Sequence, residues 1–397
     1  MAPKQHIPLL IFSHLFLSLP QPPRGSCATP ITSPQQEYEK WVMWNLQNHQ
    51  WRKMNHNLRH VDDHTSNSKA VLVPGSVTSN GRVLDVKLEK AERNKTKIVV
   101  DQNGNGDYKT IAVAIDSIPL HNSRRIILEI KPGVYREKIH IPRTKGFITM
   151  VGDSANPPTI TGNATASVTG GSGTPLRTFQ TATVAVDADY FVALNIIFEN
   201  TATHEVGRMG EQAVALRISG TKAAFYNCSF YGFQDTLYDH KGLHYFHNCF
   251  IQGSVDFIFG HARSFYENCT LNSIARKVAS VTAQKRTNSS LSSGFSFKGC
   301  RVTGSGLVYL GRAWGDYSRV VFSFTFMDNL VLPQGWSNWG IPKRNLSVYY
   351  GEYKCSGPGS NMTGRVPWAR ALTDQEAEPF IGPYFVESDT WLISPST

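Results

Sequence analysis

The feature that most limits how this chain can fold is a repeat in its middle. Four segments begin alike: "NCSFYG" at Asn227, "NCFIQG" at Asn248, "NCTLNS" at Asn268 and "GCRVTG" at Gly299. The steps between Cys228, Cys249, Cys269 and Cys300 are 21, 20 and 31 residues. Two positions after each cysteine stands an apolar residue, Phe230, Ile251, Leu271 or Val302, the period-two signature of a strand with one face inward. Four positions after it stands Gly232, Gly253 or Gly304, where the chain can bend, with Ser273 as the exception. A short strand, a bend and another short strand, recurring with variable insertions, is the pattern of a parallel β-helix in which each coil buries its inward ladder against the next. A β-sandwich also has short strands and glycine turns, but it gives no reason for the fixed offsets. The cysteines read as an inward ladder of small hydrophobes rather than metal ligands, because no close C-x-x-C pair occurs.

The expected fold is therefore all-β, a parallel solenoid. Upstream, "VVDQNGNGDYKTIAVAIDSIP" reads as a strand, a glycine turn and a helix from about Thr110 to Ser117 that caps the first coil. The chain divides into residues 1–28, a polar extension over 29–96, and the solenoid over 97–397. At the start, Lys4 precedes an apolar stretch from Ile7 to Leu19, and Ser26, Cys27 and Ala28 form a small-residue cleavage site, the pattern of a secretory signal peptide. No later stretch is apolar for long enough to span a membrane. In the extension, "EYEKWVMWNLQNHQW" reads as a helix and "HTSNSKAVLVPGSVTSNG" as loop.

The formal net charge of +10 favours a polyanionic partner: nucleic acid, anionic membrane or acidic polysaccharide. Removing Lys4 and Arg24 with the signal peptide leaves 10 − 2 = +8. Secretion argues against nucleic acid, and sequons at Asn94, Asn163, Asn288, Asn345 and Asn361 fit the same route. Loss of Cys27 leaves five cysteines, an odd count that cannot pair fully within one chain.

The chemistry sits in two related stretches. "GFQDTLY" carries Asp235 and "GSVDFIFG" carries Asp256, 21 residues on, with Gly232 and Gly253 in matching places. On successive coils their α-carbons would lie about 4.8 Å apart. Two carboxylates that close cannot both ionise cheaply, so one pKa rises and leaves an acid beside a base. Such pairs serve glycosidases, lyases, aspartic proteases and some esterases. Gln212 in "GEQAVALRISG", placed on an alternating strand, and Gln234 beside the first Asp supply neutral donors suited to an oxyanion. "YLGRAWGDYSR" supplies Arg312, able to hold one carboxylate ionised, and Trp314 on the same face, able to stack on a sugar. No G-x-S-x-G elbow occurs, and a metal would have to use His240, His244 and His247, which lack a fitting acidic ligand set. No metal and no cofactor is expected.

In order, "GVYRE" (Gly133 to Glu137), "QAVAL" (Gln212 to Leu216), "GFQDTL", "DFIFG" and "LGRAW" resemble the five signature segments of plant pectin methylesterases. The resemblance runs from about residue 97 to the C-terminus. It implies a right-handed parallel β-helix that hydrolyses the methyl esters of homogalacturonan in the cell wall without a metal. It also implies Asp256 as nucleophile, Asp235 as acid and then base, Gln212 and Gln234 as oxyanion donors, and Arg312 as the partner of Asp256. Phe179, Phe233, Trp314 and Trp336 match aromatic positions of the substrate cleft. Ala313 stands where the family usually has Pro, and His261 where Asn commonly follows "DFIFG". The 96 − 28 = 68 residues ahead of the domain are too few for the inhibitor-like bundle of many members, so the chain resembles the short class. The expected partner is methyl-esterified homogalacturonan, with no nucleic acid and no membrane, bound by a monomer. Two rivals are a lyase or hydrolase on the same solenoid, which would shorten the polymer, and a wall protein that binds without turnover.

Overall fold

The computed structural model describes residues 84–171, 173–203 and 209–393; the signal-peptide residues and the stretch around Trp41 to Trp51 lie outside them. Each repeat turns its corner one residue before the cysteine. Asn227, Asn248, Asn268 and Gly299 have φ of 50°, 53°, 55° and 63°, the left-handed region that Asn and Gly enter at least cost. The Asn or Gly that opens each repeat is thus the corner itself. The N–H of Asn227 still donates to the His247 carbonyl at 3.0 Å, and that of Asn248 to Glu267 at 3.0 Å, so the coils stay bonded through the bend. Gly253 answers a different need: an added Cβ would lie 2.2 Å from the Cβ of Phe257.

Strand pairing is parallel throughout the solenoid. One sheet of eleven strands runs from Thr96–Val100 to Arg370–Ala371. A second set of fourteen strands forms the other two sides, joined where Thr270–Gln284 and Arg301–Arg312 run through the corner without a break. The result is a three-sided, right-handed parallel β-helix.

Its core is built from in-register ladders. Phe225, Phe246, Tyr266, Phe297 and Phe322 pair in turn, with successive ring centroids 4.7, 4.5, 4.5 and 4.5 Å apart. Phe230, Ile251, Leu271 and Val302 form the second ladder. Cys228, Cys249, Cys269 and Cys300 are buried free thiols, and Cys249 Sγ donates to the His247 carbonyl at 3.5 Å. The inward cysteine ladder read from the repeat is present.

The helix Ile111–Asp116 closes the first coil, with Thr110 as its N-cap and Ile111, Ala114 and Ile115 buried. Glu137, the last residue of "GVYRE", accepts the N–H groups of Ile111 at 3.0 Å and Ala112 at 2.8 Å, so this motif carboxylate anchors the cap. A second helix, Val86–Arg93, buries Leu88 and Ala91. It lies in the stretch read from sequence as polar extension, yet Asp85 just before it accepts from Lys222 Nζ at 2.8 Å and also meets the Tyr190 hydroxyl. Phe380, Phe385 and Trp391 pack with Tyr226, Tyr245 and Tyr349 outside the eleven-stranded sheet.

Candidate active site

The register of the side that carries both carboxylates is fixed by Leu237 opposite Ile258 and Tyr238 opposite Phe259. Counting back two residues puts Asp235 opposite Asp256 on adjacent coils. Asp235 N–H donates to the Val255 carbonyl at 3.1 Å. Both residues are left-handed, with φ of 64° and 52°, and both are nearly buried, at 8% and 5% exposure.

Their surroundings differ. Arg312 Nε donates to Asp256 Oδ1 at 2.7 Å and its Nη2 donates to Oδ2. Ser280 Oγ donates to Asp256 Oδ1 and accepts the Asp256 N–H at 3.3 Å. A two-pronged guanidinium and a hydroxyl donor thus meet the Asp256 carboxylate. Asp235 has no such cation. Burial first, and then the charge of Asp256, pushes its pKa well above the usual carboxylate range, with Arg312 opposing in part. The two carboxyls therefore stand side by side in unequal surroundings.

Gln212 is half-buried in irregular chain four residues before the strand Leu216–Ile218, not on a strand as its alternating neighbours suggested. The Ala213 N–H donates to the Gln234 carbonyl at 3.1 Å, which sets the two glutamines on neighbouring coils. Among the described residues neither side-chain amide has a hydrogen-bond partner, so both remain available to a ligand oxygen.

The aromatic positions divide. Phe179, 45% exposed, lies under the Arg217 guanidinium at 3.8 Å and meets Tyr238 and His240 edge-on. Phe233 lines a groove with Ser254, Val255 and Lys277. Trp314 is half-buried beneath Lys285, whose Nζ is 4.0 Å from the ring centroid. Trp336 does not face the cleft. It is 1% exposed, stacks on Tyr350 at 4.3 Å and donates to Glu352 at 3.1 Å, because its register with Gly311 turns it inward. The exposed indole is Trp339, three residues on, 38% exposed and 3.7 Å from the Arg312 guanidinium.

Sequence reasoning missed Trp339 and Ser280. Trp339 has a left-handed φ of 61° and is followed by Gly340 at 69°, so the tight turn in "NWG" is the signal that could have found it. Ser280 sits in "VASVTAQ", which gives no such signal. Of the three histidines weighed as metal ligands, His244 is sealed between Asp239 and the Gly220 carbonyl, His240 bonds Ser219 at 2.9 Å, and His247 lies beside Tyr245 and Glu267 on another side. They do not converge. Ala313, where Pro was usual, donates its N–H to the Ser337 carbonyl at 2.9 Å, a bond that proline would forfeit.

Residues 97–389 match the family model described as Pectinesterase. The chain is 41% identical over 373 residues to Pectinesterase QRT1 of Arabidopsis thaliana, covering 93% of this chain and 94% of that one. Those 373 residues exceed the 301 from Lys97 to Thr397, so the likeness includes part of the N-terminal stretch. Among solved structures, pectin methylesterase from carrot superposes with a TM-score of 0.68 at 35% identity, over 74% of this chain and 94% of that one. Pectin methylesterase PemA from Erwinia chrysanthemi does so with a TM-score of 0.66 at 26% identity, over 76% and 99%. With the repeat, the solenoid and the unequal carboxylate pair already in place, a match of this extent identifies the chain as a member of the pectinesterase family.

Proposed function

We propose that Asp256 is the nucleophile and Asp235 the acid and then base with which this chain hydrolyses the methyl esters of homogalacturonan. The observation that carries this reading is the asymmetry of the pair: Arg312 grips both oxygens of Asp256, while Asp235 is buried without a cation. An Asp256 oxygen attacks the ester carbonyl, and the oxygen that gains charge is met by the amides of Gln212 and Gln234. The bond to the methoxy oxygen breaks as Asp235 gives it a proton, so methanol leaves and an acyl anhydride on Asp256 remains. Asp235, now a carboxylate, takes a proton from water. The hydroxide adds to the acyl carbon, the bond to Asp256 breaks, and the galacturonate carboxylate departs.

Phe179, Phe233, Trp314 and Trp339 supply apolar faces for sugar rings around this centre. Trp339 also stacks on Arg312 and so holds the guanidinium against Asp256. The leader over residues 1–28 supports secretion to the cell wall, and the basic chain suits an acidic polysaccharide rather than a neutral one. The enzyme acts as a monomer in this reading, and sedimentation of the active protein checks that point. Methanol release from esterified pectin with no change in polymer length tests the reaction. Shortening of the polymer would point to a lyase or hydrolase instead, and binding without turnover to a wall protein.

A further inference from the structure

The outer face of the eleven-stranded sheet is covered over part of its length. From Tyr226 onward the aromatic tail with Phe380, Phe385 and Trp391 lies across it. Tyr226 pairs with Leu194 on the coil before, and its hydroxyl donates to the Ile393 carbonyl at 3.1 Å, so the described tail stops at this coil. On the earlier coils the outward residues Ile127, Thr149 and Val192 stand in register, as do Glu129, Val151 and Leu194. Ile127, Val151 and Val192 are half-buried. With Leu194 and Ile393 they floor an open groove of about 600 Å³.

The rim of this groove is charged, but its charges already pair with one another. Glu92 meets Arg125 at 2.7 Å and Lys95 at 3.1 Å, while Glu129 meets Lys131 at 2.6 Å and also Lys97. Such a rim offers an ionic ligand little, whereas covering the apolar floor contributes about 25 cal/mol per Å². The chain itself leads to the place. Leu84, the first described residue, packs with the same aromatic cluster, and the Asp85 N–H donates to the Thr390 carbonyl at 2.8 Å. The helix Val86–Arg93 then flanks the groove through Glu92. Ser394 to Thr397, which follow Ile393, carry no large apolar side chain, so the cover has to come from the other direction.

Upstream of Leu84, the stretch that reads as a helix carries Trp41, Trp44 and Trp51, at steps of three and seven residues. At about 100° per residue the three indoles of such a helix fall within about 80° of arc, on one face. Residues 52–83 give a connection of 32 residues to Leu84. A flexible chain of that length spans about 30 Å and holds its end at an effective concentration on the order of millimolar. We infer that the tryptophan face of residues 41–51 occupies the groove and completes the cover of the eleven-stranded sheet. The strands Leu237–Asp239 and Val255–Gly260, which adjoin the two carboxylates, belong to the other set of strands. The segment therefore braces the first coils and stays clear of the cleft.

The test is amine cross-linking of the full secreted chain, read by mass spectrometry. Lys40 and Lys53 flank the tryptophans, and Lys95, Lys97 and Lys131 line the groove. Cross-links from the first pair to the second set are expected within one molecule. Replacing all three tryptophans together (Trp41→Ser, Trp44→Ser, Trp51→Ser), or placing a charge in the floor by Ile127→Glu, should remove them. The triple variant should also lose a few degrees of Tm while its rate of methanol release stays unchanged. Cross-links from Lys40 and Lys53 that miss the groove, or their absence in the intact chain, overturn the assignment, as does their persistence in both variants. Links that form solely between light- and heavy-isotope chains would give the groove to a second copy. Lost methanol release with an unchanged Tm would place the segment at the cleft instead.

Discussion

Asp235 and Asp256 occupy one position on two successive coils and share a left-handed backbone, yet only Asp256 is gripped by a cation. Strict alternation from the inward residues Leu237 and Ile258 would aim both carboxylates into the core. A left-handed residue resets that alternation at a cost of about 1 kcal/mol or more. The fold bears this cost on both coils, which is how an otherwise apolar strand side presents two acids to a cleft.

Asp235→Asn should make the protein more stable at neutral pH. The folded state raises the Asp235 pKa above its unfolded value near 3.8. Between those two values the folded chain holds a proton that the unfolded chain has lost. The stabilisation is fully present below about pH 3.8 and disappears as pH rises through the folded value. The asparagine variant lacks this loss, so thermal unfolding measured from pH 4 upward should show a flatter profile and a higher Tm near pH 7. Equal profiles for the two proteins would place Asp235 in an ordinary environment.

Arg312→Lys should lower kcat by about 10- to 100-fold, the equivalent of one charge-assisted hydrogen bond of about 1.5–3 kcal/mol. An ammonium is a point charge and cannot donate to both Asp256 oxygens in a plane, nor lie flat on Trp339. Steady-state kinetics on esterified pectin should show KM much less changed than kcat. An unaltered kcat would make the arginine a bystander.

The architecture was open to reading because the repeat states it directly. The Cys-plus-two offset fixed the inward ladders, and the 21-residue step fixed the carboxylate register. The reading faltered where alternation stops. The glycines after each cysteine announce bends in the sequence, whereas the left-handed Asn227, Asn248 and Asn268 turn corners without that signal. Gln212 sits in an alternating run, yet the strand begins four residues later, at Leu216. Trp336 and Trp339 are alike in composition and neighbourhood, and only the pairing of Trp336 with Gly311 decides which one enters the core. Ser280 reaches Asp256 from the next coil, a contact that no local motif records.

The two tryptophans should separate cleanly on substitution. Trp336→Ala removes a fully buried ring stacked on Tyr350 and should cost about 3–5 kcal/mol of stability. Trp339→Ala, at an exposed site, should leave Tm within a few degrees and reduce kcat by releasing Arg312 from its stacking partner. Thermal melts and methanol-release rates on both variants check this. A Trp339→Ala enzyme of normal activity would show that the guanidinium needs no support beyond Asp256.

The roles of the two carboxylates can be distinguished by what each variant traps. Asp256→Asn should release no methanol and form no covalent species, since the amide oxygen is a poor nucleophile and the Arg312 grip has lost its anion. Asp235→Asn keeps the nucleophile with its Arg312 and Ser280 contacts but lacks the proton donor, so acylation slows. It also lacks the base that activates water, so any anhydride that forms should accumulate. Acid-quenched Asp235→Asn enzyme, digested and examined by mass spectrometry, should carry a galacturonyl adduct on the peptide that contains Asp256. An adduct on Asp235 in the Asp256→Asn variant would exchange the two assignments. The first outcome is the expected one because Arg312 donates to both oxygens of Asp256, a contact that Asp235 lacks.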